Sequence, residues 1–230
     1  MKRAVSLAWI FLLVLISACA TRPPTPAAAP APAHNYARWD GEIGRYEQID
    51  QTNAPPQGGL LFTGSSTIRL WKTLQSDFPD QPVINRGFGG CEIVDCTHFA
   101  DRIIVPYRPR KIYLRCGGND LWGGKSAEQV FADYKEFVAQ VHARLPKTQI
   151  VFISLSPSIA RWKQADKEKA VNAMAEKFTR GKSYLSYIET YDIVLGPDAQ
   201  PRPELFVADK LHFNAAGYKL FAERLRPYVK

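Results

Sequence analysis

Short apolar runs bounded by glycine or small polar residues alternate along this chain with stretches whose apolar positions recur every three or four residues. Leu60-Leu61-Phe62 follows Gly58-Gly59 and leads into Thr63-Gly64-Ser65-Ser66. Pro82-Val83-Ile84-Asn85 ends in Arg86-Gly87-Phe88-Gly89-Gly90, and Lys111 to Cys116 ends in Gly117-Gly118-Asn119-Asp120. Gln149 to Leu155 and a shorter segment near Tyr187-Ile188 complete the set. Runs of this length and flanking read as buried strands.

The intervening stretches read as helices. Trp39, Ile43, Tyr46 and Ile49 share one helical face, and a second stretch centres on Ile93, Phe99 and Ile103. Ser126-Ala127-Glu128-Gln129 has the form of a capping box. It opens the clearest helix, with Val130, Phe131, Tyr134, Phe137, Val138 and Val141 on one side. A charged helix is expected to turn Ala170, Val171, Met174 and Phe178 inward, and a last one, from about Asn214, uses Tyr218, Leu220, Phe221 and Leu225. This alternation predicts an α/β fold: a three-layer α/β/α sandwich around a mainly parallel sheet. Ligands of open α/β sheets bind outside the carboxyl ends of the strands. The three turns after the first three strands should therefore line one crevice.

The N-terminus follows a different pattern. Lys2-Arg3, an apolar run from Ala4 to Ile16, and Ser17-Ala18-Cys19 describe a secretory leader, too short for a comfortable bilayer span. Ile16-Ser17-Ala18-Cys19 resembles the lipobox of bacterial lipoproteins, which implies cleavage before Cys19 and lipidation of that cysteine. Ala20 in place of a retaining Asp implies sorting to the outer membrane, facing the periplasm. Thr21 to Ala33 contains ten Pro or Ala in thirteen residues, an extended spacer without core-forming capacity. The expected organisation is a leader at 1–18, a lipidated Cys and tether at 19–33, and a globular domain at 34–230.

Composition changes this picture little. With 46% hydrophobic and 12% aromatic residues among 230, the chain is no disordered or collagen-like polymer. The net charge of +8 invites a nucleic-acid reading. Loss of the leader takes Lys2 and Arg3 away and leaves +6, with no run of five basic residues. The short cluster Arg108 to Lys111 and the mixed segment Lys163 to Lys169, a solvated helix face, fit an anionic envelope surface better than nucleic acid.

The chemistry concentrates in four places. Ser66, at a strand-to-helix turn, is either a helix cap or a nucleophile. Asp209-Lys210-Leu211-His212 offers a base and, three residues earlier, a carboxylate to orient it. The Gly90 N–H and the Asn119 amide follow strand ends and could serve turns or an oxyanion. Together Gly64-Ser65-Ser66-Thr67, Asn85 to Gly90, Gly117 to Asp120 and Asp209 to His212 resemble, in order, the four blocks of the SGNH hydrolase superfamily, the GDSL-type esterases and lipases. Ser65 departs from the family's name-giving Asp.

The resemblance implies a flavodoxin-like SGNH hydrolase fold and hydrolysis of carboxylic esters, with short acyl groups or acetylated carbohydrates favoured. It implies Ser66 as nucleophile, His212 as base and Asp209 as its orienter, with the Ser66 and Gly90 amides and Asn119 stabilising the oxyanion. No cofactor is implied. Transfer of the acyl group to an envelope polysaccharide, or a binding lipoprotein without catalysis, are the alternatives.

Other signals carry less. Gly118 to Ser126 lacks the first glycine of a phosphate-binding loop, since Asn119 stands there. Cys91, Cys96 and His98 lack a fourth metal ligand, and no metal is expected. Cys91 and Cys96 could pair only if Cys91 precedes the helix. Cys116 reads as a small buried apolar residue. Trp162 is a candidate wall of the substrate pocket.

Overall fold

The computed structural model describes residues 34–230; the leader, Cys19 and the tether lie outside the described residues. Five parallel strands form one sheet: β1 (Leu60–Gly64), β2 (Val83–Gly87), β3 (Lys111–Arg115), β4 (Gln149–Ile153) and β5 (Leu185–Ile188). Their order is β2-β1-β3-β4-β5, with Leu60 beside both Val83 and Lys111. Chain direction across the sheet reverses between β1 and β3, which puts a ligand crevice at that switch point.

The period-two alternation of each strand divides the core. Leu61, Ile112, Leu114, Ile150 and Phe152 point to one face. There they meet Ile43 of α1 (Asp40–Thr52), Ile93 and Cys96 of α4 (Ile93–His98), and Ile103 of α5 (Ala100–Ile103). Val130, Tyr134 and Phe137 of α7 (Ala127–Arg144) and Val171 of α8 (Ala165–Thr179) complete that layer. Leu60, Phe62, Tyr113, Val151 and Ile153 point the other way. They pack on Ile68 of α2 (Ser66–Arg69), Leu74 of α3 (Leu74–Asp77), Trp71, and Phe221 of α9 (Ala215–Leu225). A short α6 (Gly118–Trp122) follows β3. The result is the expected three-layer α/β/α sandwich with a parallel sheet.

Element boundaries shift where packing competes with periodicity. The sequence reading makes one helical stretch of Ile93 to Ile103; the chain breaks it at Phe99 into α4 and α5. In α1 only Ile43 is buried, and Ile49 is 48% exposed. Ala170, expected inside, is exposed, because α8 buries Glu168, Val171, Asn172, Ala175 and Thr179 instead. The Ser126 capping box forms as expected, Ser126 Oγ accepting from the Gln129 N–H.

Candidate active site

Ser66 opens α2 directly after β1, and the approach to it depends on Gly64. With φ at +130°, a side chain there would place Cβ 2.1 Å from the Arg115 carbonyl of β3. Only glycine permits strands this close at a turn so sharp. The Ser65 N–H then donates to the same carbonyl at 3.1 Å. Asn85 of β2 holds α2 from the other side, its Nδ2 donating to the Ile68 carbonyl at 2.7 Å. Tyr218 of α9 donates its hydroxyl to the Thr67 carbonyl at 3.0 Å.

His212 arrives from a turn ahead of α9. Its Nε2 lies 2.9 Å from Ser66 Oγ, and its Nδ1 lies 2.6 Å from Asp209 Oδ2. The other Asp209 oxygen accepts from the backbone N–H groups of Leu211 and His212, both at 2.9 Å. Lys210, between Asp209 and Leu211, sits in the left-handed region at φ +58°. The His212 hydrogen bond, followed by these backbone donors, lowers the Asp209 pKa to about 2. The carboxylate therefore stays ionised at neutral pH. Its Oδ2 requires the proton on Nδ1 and leaves Nε2 to accept from Ser66.

Two further loops close the crevice. Asn119, at the start of α6, donates Nδ2 to the Cys91 carbonyl at 2.9 Å and accepts from Arg161 Nη1 at 2.9 Å. One Nδ2 hydrogen remains for a ligand. Gly90 stands one residue before Cys91, in the left-handed region at φ +77°, against Trp39. The Asn119–Cys91 bond thus ties the β2 and β3 turns together. Beneath it, Asp120 is fully buried, accepts from the Ile93 N–H at 3.2 Å and pairs with Lys125 at 3.0 Å. Burial lifts its pKa to about 7 against the pull of Lys125.

Ser66, Asn119 and His212 line one cavity of about 60 Å³, with Arg115, Ser156, Ser158, Arg161, Gln164 and Glu168 around it. Asp209 stands behind His212, and Gly90 lies outside the lining. Trp162 does not line the cavity either, a correction to the sequence expectation. It begins a 3₁₀ turn, Trp162–Gln164, in which side chains three apart share a side. Arg161 and Gln164 consequently face the cavity and Trp162 does not.

Glu168 and Gln164 fall in the segment whose mixed charges predict a solvated helix face, yet both are buried. Burial raises the Glu168 pKa to about 7. Their signal in the sequence was the four-residue spacing that aligns them with Val171, Asn172 and Ala175. Arg115, the last residue of β3, carried no distinguishing signal.

Cys91, Cys96 and Cys116 converge, with sulfur separations of 3.8 Å and 3.7 Å from Cys91. They are free thiols, and Cys91 does precede α4. Their sulfurs form the one potential metal-ligand group among the described residues. Cys116 takes the place that the sequence reading offered to His98, which instead stacks on Tyr36 at 3.9 Å. Burial pushes the Cys91 and Cys116 thiols up, favouring the neutral, packed form.

Comparison with known proteins agrees with this architecture. Residues 57–220 match the family model described as the GDSL-like Lipase/Acylhydrolase family. The chain belongs to that family, and it is an ester hydrolase. No curated protein matches it by sequence. Among solved structures, a Streptococcus pneumoniae protein whose description names platelet activating factor superposes with a TM-score of 0.74 at 20% identity, covering 85% of this chain and 94% of that one. A GDSL-like lipase from Bacteroides thetaiotaomicron gives 0.65 at 17% identity, covering 85% and 97%. An acetyl-xylooligosaccharide esterase from Geobacillus stearothermophilus gives 0.59 at 15%, covering 75% and 94%. These are similarities of fold.

Proposed function

We propose that the chain hydrolyses short-acyl carboxylic esters, acetylated carbohydrates among them, through an acyl-enzyme on Ser66. The observation that carries this reading is the unbroken hydrogen-bonded series from Ser66 Oγ through His212 to Asp209. As Oγ attacks the ester carbonyl, His212 Nε2 takes its proton and Asp209 stabilises the imidazolium. The tetrahedral oxyanion accepts from the Ser66 N–H and the remaining Asn119 hydrogen, and Gly90, outside the cavity lining but tied to Asn119 through Cys91, is the third candidate donor. Collapse expels the alcohol, which receives the proton from His212. Water, deprotonated by the same nitrogen, then attacks the acyl carbonyl and frees the acid.

The cavity supports a small acyl or alcohol group. About 60 Å³ lined largely by polar side chains suits a small polar group better than a long alkyl chain. The similarity to an acetyl-xylooligosaccharide esterase points toward the same substrate class. The Ile16-Ser17-Ala18-Cys19 segment supports a lipid anchor in the outer membrane, holding the enzyme against envelope or periplasmic substrates. Palmitate labelling of the expressed full chain, abolished in Cys19→Ala, tests that placement.

Hydrolysis of nitrophenyl acetate tests the chemistry. Ser66→Ala is expected to lower kcat by about 10⁴-fold or more. A variant as fast as the parent would falsify the assignment. Free acetate, rather than acetylated glycan, as the product separates hydrolysis from transfer.

A further inference from the structure

The cavity beside Ser66 has a wall that the chemistry of acyl transfer does not use. Glu168, Gln164 and Arg115 line it at 3%, 6% and 7% exposure. Each leaves one buried polar atom without a partner: Glu168 Oε2, Gln164 Oε1 and Arg115 Nε. Their remaining atoms are engaged. Gln164 Nε2 donates to Glu168 Oε1 at 2.8 Å and to the Gly118 carbonyl at 3.3 Å, which fixes the orientation of the amide. Arg115 donates Nη1 to the Ser154 carbonyl at 3.1 Å and Nη2 to Ser156 Oγ at 2.8 Å.

A buried polar group left unpaired costs about 1–3 kcal/mol, so three in one cavity mark bonds completed from outside the chain. The unmet set is two acceptors and one donor. A carboxylate or phosphate offers only acceptors and would oppose Glu168 and Gln164. An ammonium offers only donors and would oppose Arg115. An alkyl group would leave all three unpaired. A hydroxyl offers one hydrogen and two lone pairs: it accepts from Arg115 Nε and donates to one of the two acceptors, and of these groups it alone pairs with both kinds of partner.

We propose that Glu168, Gln164 and Arg115 form a subsite that binds a hydroxyl carried by the substrate beside its scissile ester. The proposal rests on the reading of Ser66 as nucleophile, since only that reading puts the ester within reach of this wall. The hydroxyl belongs either to a polyol or sugar leaving group or to a hydroxyacyl group; the recognition chemistry is the same. A site built to bond a hydroxyl discriminates strongly against the analogue without one.

Two matched pairs test this on the full chain, each rate divided by its alkaline hydrolysis rate. Glycerol monoacetate against propyl acetate probes the leaving group, and ethyl 3-hydroxybutyrate against ethyl butyrate probes the acyl group. We expect kcat/KM to favour the hydroxylated member of one pair by about tenfold or more. Glu168→Gln and Arg115→Lys should each reduce that preference severalfold. Rates within twofold in both pairs, or a preference undiminished in both variants, overturn the subsite while leaving Ser66 in place. Loss of no activity in Ser66→Ala overturns the subsite together with the nucleophile assignment.

Discussion

The two sides of Ser66 are held by opposite means. On the base side, Asp209 is 47% exposed and His212 26%, and their geometry is set within four consecutive residues. Asp209 accepts from the Leu211 and His212 amides, and a brace from outside the four residues runs from the Ala160 N–H to the Lys210 carbonyl at 3.0 Å. On the donor side, the Gly90 and Asn119 turns lie far apart in sequence. They are joined by the Asn119–Cys91 bond and by an interior of Cys91, Cys96, Cys116 and Asp120, each at most 1% exposed. Local hydrogen bonds position the proposed base, whereas core packing positions the proposed oxyanion donors. Activity and stability should therefore separate between the two sides.

The largest effects belong to the base side. His212→Ala is expected to lower kcat by about 10⁴–10⁶, and Asp209→Asn by about 10⁴, in a nitrophenyl ester assay. Neither residue lies in the core, and each substitution should change stability by about 1 kcal/mol or less in thermal denaturation. Loss of several degrees in both variants would break the comparison.

Asp120→Ala should show the reverse balance. It leaves the Ile93 N–H without its acceptor and costs about 1–3 kcal/mol, roughly 2–4 °C of melting temperature per kcal/mol. kcat should fall far less than in His212→Ala, because Asp120 touches no reacting atom.

Glu168, in the adjoining wall, sharpens the contrast through pH. Burial raises its folded-state pKa to about 7, above an unfolded value of about 4.3. The folded state therefore binds more protons between these values, and stability falls as pH rises through that window. Glu168→Gln should flatten the decline in melting temperature between pH 5 and pH 8. Asp209, lowered to about 2, has the opposite sign: its contribution is present at neutral pH and is lost only as pH falls below about 4 toward 2.

The smallest effect is expected at Lys210. A left-handed backbone costs a non-glycine residue about 1–2 kcal/mol, partly offset by the entropy of glycine. Lys210→Gly should stabilise the protein by about 0.5–1 kcal/mol, read as a small rise in melting temperature. Destabilisation would mean that the Lys210 side chain supports the turn.

Much of this molecule is legible in its order of residues. Short apolar runs flanked by glycine and helical stretches of period three to four determine the α/β alternation, and glycine-rich strand ends mark the crevice. The Asp209-to-His212 spacing is legible because the interactions that shape it are made inside one turn. Gly64 is legible too, as a residue type that a tight strand exit demands.

Tertiary structure alone decided the rest. Charged residues near Lys163 to Lys169 look solvated in sequence, yet the α8 face that meets the sheet turns Glu168 into the cavity. The 3₁₀ turn ahead of α8 exchanged Trp162 for Arg161 and Gln164, since a change from 3.6 to three residues per turn redirects every following side chain. Cys116 joined Cys91 and Cys96 because β2 and β3 both pair in parallel with β1, so that their exits lie at the same edge of the sheet. Local patterns determine which elements form and which residues can act. Which polar side chains are buried together depends on contacts between elements distant in the chain, and no window of sequence contains those.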